Sequence, residues 1–378
     1  MSPRFRTGIS EIDGYAVRVS DDPDDPVWDD FLERAPGSAY AQTSSWGRLR
    51  TLIDWRAARV VVSVDGQVVG GAQMLIRPFP VGGSIGFVPR GPVVSEDRSD
   101  LVGLVFDQML ALGKANGVQY LVVYPPSGGG WMDRELVPRG LRPCLDVIDS
   151  NYTATVCVDL QRSLDSMFTG MAKRRRTSVR AAERRGVTVR QGSAADLPVF
   201  DRLKDAHASR LGYDRRGQDY YEALWDVFAP RGHVALFLAQ HEGEPVSAAL
   251  AIPFGDTCYH LERPWSGEHG DLRPNELLEW EVLKWAKSEG YRFADLGGIL
   301  RPNALAVLSG EGKPPHLTGW EEFKLAFGGQ VTLLPEGYDY VYSPVLRFAH
   351  RNAPPKVLRS VREFAERVRA RAWGRRET

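Results

Sequence analysis

The order of secondary-structure signals along this chain occurs twice, and this repetition constrains the fold more than any other feature. In each half a helical region precedes a hairpin of two apolar strands, and a longer helix, a glycine stop and another strand follow. The first hairpin turns at Asp65-Gly66 and its later helix stops at Gly117. The second turns at Glu242–Glu244 and its helix stops at Gly290. Repeats at such a long period predict a duplicated domain rather than a solenoid.

Each copy combines helices, an antiparallel hairpin and a helix–strand unit, which favours the α+β class. The pattern matches an acyl-CoA N-acyltransferase (GNAT) type of domain, in which a mixed sheet splays at its middle. At 378 residues the chain is also too long for one ordinary core. We therefore expect two tandem GNAT-like domains. The first covers residues 1–150 and is completed by 336–378, and the second covers residues 151–335 and carries the catalytic cleft.

Composition excludes several classes of function. Lys and Arg together number 48, as do Asp and Glu, so a globally basic nucleic-acid binder is excluded and any affinity for anions must be local. The three cysteines are far apart and the seven histidines lack paired spacing, so we predict neither a metal nor another cofactor. The chain lacks an apolar run near the roughly 20 residues of a membrane span, and its first residues lack a signal-peptide pattern. We expect a cytoplasmic monomer.

A candidate catalytic cleft lies in the second copy. A strand ends in Asp295-Leu296-Gly297-Gly298, and after a polar loop a short helical segment carries Lys324 between Phe323 and Leu325. The cleft would open at the carboxyl end of the strand, and the lysine would point into it. A fixed cation at that place could stabilise negative charge that develops during acyl transfer. The alternative is a surface lysine whose stem lies along apolar neighbours.

A strongly basic helix is predicted over Lys173–Gly186. Its period places Arg176, Arg180 and Arg184 along one edge, where they could hold phosphates through charge alone. The alternative is a solvated cationic helix without a ligand.

Two further segments could bind anionic groups or line the cleft. The loop Asp214–Tyr221 is rich in residues that bind carboxylates and phosphates. Tyr259 and His260 face opposite sides of a strand, so one of the two should point into the cleft. A clean pyrophosphate loop of the acyl-CoA type precedes a helix in neither copy, which weakens an ordinary acetyl-CoA enzyme.

Taken together, these motifs resemble the Fem family (FemA, FemB, FemX) of aminoacyl-tRNA-dependent peptidoglycan aminoacyltransferases. The resemblance covers roughly residues 28–345, and it depends on the order and spacing of several motifs, which are Gln42–Gly47, Lys173–Val187, Arg216–Tyr220, Asp295–Gly298 and Phe323–Gly329. The family consists of two acyltransferase-like domains. FemA-like members add a long helical arm, for which the segment between Val227 and His233 leaves no room, so the expected architecture is closer to FemX.

The resemblance also implies substrates and site residues. Aminoacyl-tRNA would be the donor, and the amine of a muramyl-pentapeptide nucleotide or of its lipid-linked form would be the acceptor. Lys324 would match the lysine that assists the transfer. Arg216, Tyr220 and Tyr259 would bind the acceptor together with a first-domain cation. That cation would be Arg50, or alternatively Arg48, where the family has a lysine.

From the basic helix we further expect Arg175, Arg176 and Arg180 to contact the tRNA backbone. Three alternatives stay open: a small natural-product amine as the acceptor, an acyl-CoA-dependent GNAT enzyme, and a tRNA-binding protein without enzymatic activity. The amphipathic segment Val357–Arg369 is expected to cap the first domain, and the alternative is a peripheral contact with the inner face of the membrane.

Overall fold

The fold is taken from a computed structural model that describes residues 8–78, 82–95, 98, 100–144, 153–310, 317–344 and 347–348. The C-terminal amphipathic segment predicted above lies outside these residues. Within them, no helix combines the length and the hydrophobicity that a membrane crossing requires.

The strands form two separate mixed sheets. In chain order the strands are β1 (Gly8–Ile12), β2 (Tyr15–Ser20), β3 (Arg56–Val64), β4 (Gln67–Pro78), β5 (Ser84–Val88), β6 (Val93–Val94), β7 (Val118–Val123), β8 (Arg142–Pro143), β9 (Ala154–Asp159), β10 (Val187–Gln191), β11 (Ala235–His241), β12 (Glu244–Phe254), β13 (Thr257–Glu262), β14 (Phe293–Gly298), β15 (Gln330–Leu333) and β16 (Tyr338–Val341).

The helices pack on both faces of these sheets. They are α1 (Pro26–Arg34), α2 (Ser44–Arg50), α3 (Leu101–Ala115), α4 (Asp133–Leu136), α5 (Leu164–Gly170), α6 (Lys173–Arg184), α7 (Leu197–Leu211), α8 (Gln218–Phe228), α9 (Pro274–Ser288), α10 (Arg301–Ser309) and α11 (Gly319–Leu325).

The two sheets have the same sequence of strand pairings. In the second sheet, β10, β11, β12 and β13 pair antiparallel, β13 and β14 pair parallel, and β9 and β15 complete the edge antiparallel. In the first sheet, β2, β3, β4, β5, β7, β16 and β8 repeat this order. The parallel pair is joined by α3 in one sheet and by α9 in the other. The protein is therefore α+β with two tandem GNAT-like units.

The strand that follows the parallel pair in each sheet comes from a different part of the chain. In the second sheet it is β9, the first strand of that half, whereas in the first sheet it is β16, close to the end of the chain. Residues 338–341 thus return to the first sheet, while β15 stays in the second.

Each sheet has its own core, and a third core joins the two halves. The first sheet buries Val62, Met74 and Leu121 against Phe106 of α3. The second sheet buries its own apolar face against α6 and α9. The opposite faces of both sheets meet through α1, α2, α7 and α8 in the joining core, which includes Trp28, Leu75, Leu224, Phe228 and Leu250. Because this core is continuous, the halves form a single packed body.

Ion pairs add to this joining core at its edge. Arg231, just after α8, contacts Asp30 and Glu33 of α1, and His233 lies 3.4 Å from Glu33. These ion pairs therefore help to hold the two halves together.

Candidate functional site

Lys324 lies where the second sheet splays. Residues 257–259 of β13 pair with residues 293–295 of β14, and beyond this point the described register ends while β13 continues to Glu262. A capping box between Thr318 and Glu321 begins α11, whose last turn carries Lys324. Its Nζ donates to the carbonyl of Gly298 at 2.7 Å and lies 4.4 Å from the centre of the Trp320 ring. The ammonium is thus fixed at the carboxyl end of β14.

The surroundings of Lys324 lower the pKa of its amine. Burial lowers its pKa to about 8, and the positive charge of Arg263 acts in the same direction. Asp295, Glu279 and Glu321 oppose the shift but do not cancel it. An amine with this pKa is mostly charged at pH 7, and it can respond to charge that develops beside it.

Arg263 is held beside the lysine by a buried carboxylate. Glu279, on the buried face of α9, accepts a bond from Arg263 at 2.6 Å and contacts His260 at 2.8 Å. Burial alone would raise the pKa of Glu279, but Arg263 and His260 overcome this effect and the pKa falls to about 2. His260 therefore faces this ion-pair network in the second-domain core.

Asp295 shapes the turn against which Lys324 rests. One of its carboxylate oxygens accepts from the hydroxyl of Thr155 and, at 2.8 Å, from the backbone N–H of Gly297. Gly297 has a φ of +92°, and a Cβ at this position would lie 3.2 Å from the Lys324 Nζ. The glycine is therefore required both by the backbone conformation and by the close approach of the lysine.

The first-domain cation comes from α2. The guanidinium carbon of Arg50 lies 5.4 Å from the centre of the Trp46 ring and 5.9 Å from the centre of the Trp55 ring. Its guanidinium also hydrogen-bonds to the hydroxyl of Tyr220. Arg216 lies over the ring of Tyr220, with its guanidinium carbon 4.2 Å from the ring centre. Burial raises the pKa of Tyr220 although both arginines oppose the shift. Two guanidinium groups from different domains thus converge on one tyrosine.

Arg48 and Arg50 differ in where they lie. Arg48 is exposed, whereas Arg50 is half-buried in the aromatic setting beside Tyr220. Of the two alternatives, the geometry brings only Arg50 together with Arg216.

Tyr259 lies between the Arg50–Tyr220–Arg216 group and the lysine. Its ring packs edge-on against Tyr40 at 5.2 Å, and Tyr40 packs in the same way against Trp46 at 5.2 Å. The Tyr259 hydroxyl lies 3.4 Å from the carbonyl of Ser38, and burial raises its pKa with a further contribution from Asp295. Since Asp295 also influences Lys324, Tyr259 lies between the two parts of the site.

The three arginines that sequence assigned to tRNA differ in exposure. Arg175 is buried, pairs with Glu276 at 2.8 Å and covers the ring of Phe323 at 4.4 Å. Its side chain is only 5% exposed and its guanidinium is paired inside the protein, so its assignment to an RNA-binding surface is wrong. Arg180 is exposed and Arg176 is half-buried, and Arg176 donates to the carbonyls of Thr169 and Met171.

Several site residues were missed at the sequence level. Arg263 and Glu279 belong to the lysine's surroundings but are 16 positions apart on different elements. The signal that could have found Glu279 is its position on the apolar stripe of α9, where an acid needs a partner. Among the described residues no cluster of three or more His, Cys, Asp or Glu side chains could hold a metal ion.

Comparison with known proteins agrees with this architecture. The FemAB family model matches residues 25–134 and the acetyltransferase (GNAT) domain model matches residues 171–308. The lipid II:glycine glycyltransferase of Staphylococcus saprophyticus is 19% identical over 91% of this chain and 98% of its own.

Two solved structures have a similar fold. The crystal structure of FemX has a TM-score of 0.75 at 20% identity, covering 84% of this chain and 96% of FemX. A tandem GNAT protein from the clavulanic acid biosynthesis pathway has a TM-score of 0.50 at 12% identity, covering 84% and 95% of the two chains. These matches, together with the repeated sheet topology, show an acyltransferase that is built from two GNAT-like domains and is similar to members of the Fem family.

Proposed function

We propose that this protein transfers an amino acid from aminoacyl-tRNA to the amine of a peptidoglycan precursor, either a muramyl-pentapeptide nucleotide or its lipid-linked form. The observation that carries the proposal is the half-buried Lys324 ammonium, fixed at the splay of β13 and β14 and connected through Tyr259 to the Arg50–Tyr220–Arg216 group. The relatives named as lipid II:glycine glycyltransferases support the class of acceptor.

The chemistry needs little from the protein beyond position and charge. The acceptor amine attacks the ester carbon of the donor, a C–N bond forms, and the ester C–O bond to the ribose breaks. The amine loses a proton and the ribose oxygen gains one. A covalent enzyme intermediate is unnecessary, because the aminoacyl ester is already activated.

In this mechanism Lys324 stabilises the oxyanion of the tetrahedral intermediate. One N–H of the ammonium is used on Gly298, and the group has three such donors in all. A preorganised charge of this kind lowers a barrier by roughly 3–4 kcal/mol. Arg263 beside it lowers the pKa of the lysine, so the ammonium is readily polarised towards new negative charge.

The acceptor's anionic groups are assigned to Arg50 and Arg216. A guanidinium presents a planar fork of donors that suits both diphosphate and carboxylate oxygens. Tyr220, and Tyr259 near the lysine, would also contact the acceptor. With this placement the acceptor binds between the two domains and its amine faces the second domain.

A second candidate function is acyl-CoA-dependent N-acylation, favoured by the acetyltransferase model that matches the second domain. The start of α9 argues against it. A pyrophosphate is usually held by backbone N–H groups at a helix N-terminus. Here the first turn begins with Pro274, which lacks an N–H, and carries Glu276 paired with Arg175.

The function is tested by product mass. The full-length protein is incubated with a pool of charged tRNAs and either form of the precursor. We expect an acceptor heavier by one amino-acid residue, with charged but not deacylated tRNA, and the mass gained identifies the amino acid. Saturable use of acyl-CoA with no product from charged tRNA would establish the competing function instead, and a small amine as the sole acceptor would overturn the assignment of the precursor.

A further inference from the structure

A cationic groove runs along a face of α6 that does not contain Arg176 or Arg180. Its volume is about 440 Å³, and it borders the start of α9. We name it the α6 groove, and its lining residues are Lys173, Arg174, Thr177, Ser178, Ala181, Arg185 and Arg273. The four basic side chains are exposed, and they come from both ends of α6 and from the residue before α9.

The opposite edge of α6 packs on α5. Arg176 donates to backbone carbonyls at the end of α5 and just after it, and the guanidinium carbon of Arg180 lies 5.0 Å from the Phe168 ring centre. These contacts hold the two arginines against the protein. The sequence period correctly grouped the basic residues on a helix, but the outward charges suited to a ligand lie on the other face.

The groove is a formed feature of the backbone rather than a random cluster of side chains. Arg185 donates to the carbonyl of Asp271, which ties the end of α6 to the turn before α9. Arg273 has a φ of +60°, a conformation that L side chains rarely adopt, and this directs the chain into Pro274. Glu276, the acid in the first turn of α9, pairs inward with Arg175.

The α6 groove lies close to α11, the helix that carries Lys324. Arg175 lies next to Arg174 in sequence, and its guanidinium covers the rings of Phe323 and Phe327 at 4.4 and 5.1 Å. Phe323 precedes Lys324 directly. A chain of phosphates bound at Lys173 and Arg174 would therefore end close to the helix that carries the lysine.

We propose that the α6 groove binds the phosphate backbone of the single-stranded end of the RNA that delivers the aminoacyl group. This inference rests on the proposed function and adds to it the place of the donor. The 12 residues of α6 span about 18 Å, which is long enough for several successive phosphates. The side chains offer charge and hydroxyls but few flat apolar surfaces, so the groove holds RNA by its backbone and is indifferent to sequence.

The test measures how RNA affinity depends on salt. A fluorescein-labelled single-stranded RNA that carries no aminoacyl group is titrated with the full-length protein at several potassium chloride concentrations, and binding is followed by fluorescence anisotropy. Each phosphate contact of a single strand contributes about 0.7 to the slope of log K against log salt. For Arg174→Gln/Arg273→Gln we therefore expect weaker binding and a slope smaller by about 1.4.

The matched control removes the same charge elsewhere. Arg184→Gln/Arg202→Gln changes two exposed arginines, one outside the groove lining on α6 and one on α7, across the second sheet. We expect this variant to bind RNA like the wild-type protein. If both double variants lose affinity equally, only net charge matters and the groove is not the site.

A second groove variant distinguishes lost RNA binding from misfolding. Thr177 is exposed in the lining, so Thr177→Glu adds a negative charge without removing an arginine. We expect weaker RNA binding with an unchanged melting temperature, and unchanged binding would overturn the proposal.

The other arms of the experiment separate the sources of phosphate and the two proposals. Phosphatidylglycerol vesicles and coenzyme A replace the RNA as probes. If the groove variants lose binding to vesicles or coenzyme A but still bind RNA like the wild type, the groove is not an RNA site. Transfer from charged tRNA is measured in parallel. If the wild-type protein transfers from charged tRNA and the groove variants have the same KM for it, only the α6 groove proposal is contradicted. If the wild-type protein does not transfer from charged tRNA, the proposed function is contradicted.

Discussion

At the scale of single residues, the lysine site depends on burial and on neighbouring charge. Lys324 is fixed by Gly298 and Trp320, and its pKa is lowered to about 8 by burial and by Arg263. Sequence located this lysine through the motif around it. It could not reveal Arg263 and Glu279 as neighbours, because their proximity depends on how β13, β14 and α9 meet.

A pH profile tests the charged state of Lys324. If the ammonium is the active form, kcat/KM falls as pH rises through about 8, because the proton is then lost from the free enzyme. The variant Lys324→Arg stays protonated to above about pH 12, so its alkaline limb should move to higher pH even if its maximal rate is lower. A rate that rises through the same range and is abolished in the arginine variant would instead assign a base role.

The acceptor-binding residues are tested by separating KM from kcat. Arg50→Met and Arg216→Met remove one guanidinium each from the group around Tyr220. We expect KM for the acceptor to rise by about tenfold or more in each variant, since a charge-assisted bond is worth roughly 1.5–3 kcal/mol. Arg48→Met is the matched control on the same helix and should leave KM unchanged. Equal effects of all three substitutions would contradict the choice of Arg50.

At the scale of elements, sequence was most successful where the pattern is local. The hairpin predicted at Asp65-Gly66 joins β3 and β4. The N-cap of α2 is Thr43, although Ser44 and Ser45 are equally suitable residue types. Ser44 instead donates its hydroxyl to Asp29 at 2.6 Å. This contact spans 15 residues, and no local rule could have found it.

The failure at Arg175 has the same origin. A basic run reads as a solvated face, yet Phe323 and Phe327, nearly 150 positions later, cover this guanidinium, and Glu276 neutralises it. Arg175 thereby joins α6, α9 and α11. A residue that looks like a ligand for RNA is in fact part of the support for α11, the helix that carries Lys324.

Removing this buried arginine should destabilise the fold. We expect Arg175→Leu to lower the free energy of unfolding by about 3 kcal/mol or more, because Glu276 would keep a largely buried charge without its partner. Urea unfolding followed by far-UV circular dichroism measures the change. Arg180→Leu, at an exposed position on the same helix, should cost under about 1 kcal/mol. An Arg175 variant as stable as the wild type would show that the ion pair contributes little.

At the scale of the whole molecule, the repeated topology suits the two substrates proposed above. Each domain contributes one parallel strand pair that is joined by a helix, and the joining core fixes their relative position. The proposed acceptor binds between the domains, and the proposed donor approaches the second domain from the α6 side. Sequence indicated the duplication, but the mutual packing of α2 and α8 and the resulting meeting of Arg50 with Tyr220 depend on the folded chain.

The continuous joining core predicts cooperative unfolding. Trp28 and Phe228, from different domains, belong to the same buried cluster, so separating the halves would expose a large apolar surface. We expect a single unfolding transition in urea, with tryptophan fluorescence and circular dichroism giving the same midpoint. Two well-separated transitions would mean that the domains are only loosely joined.

The central claim is that the ammonium of Lys324 stabilises the transition state, and single-turnover transfer measures it most directly. With charged tRNA and precursor bound at saturating concentration, Lys324→Met should transfer the amino acid about 100- to 1,000-fold more slowly than the wild type. Lys284→Met, a matched change on the outer side of α9, should transfer at the wild-type rate, and both variants should retain the melting temperature and RNA affinity of the wild type. A wild-type rate of transfer by a folded Lys324→Met protein would contradict the claim.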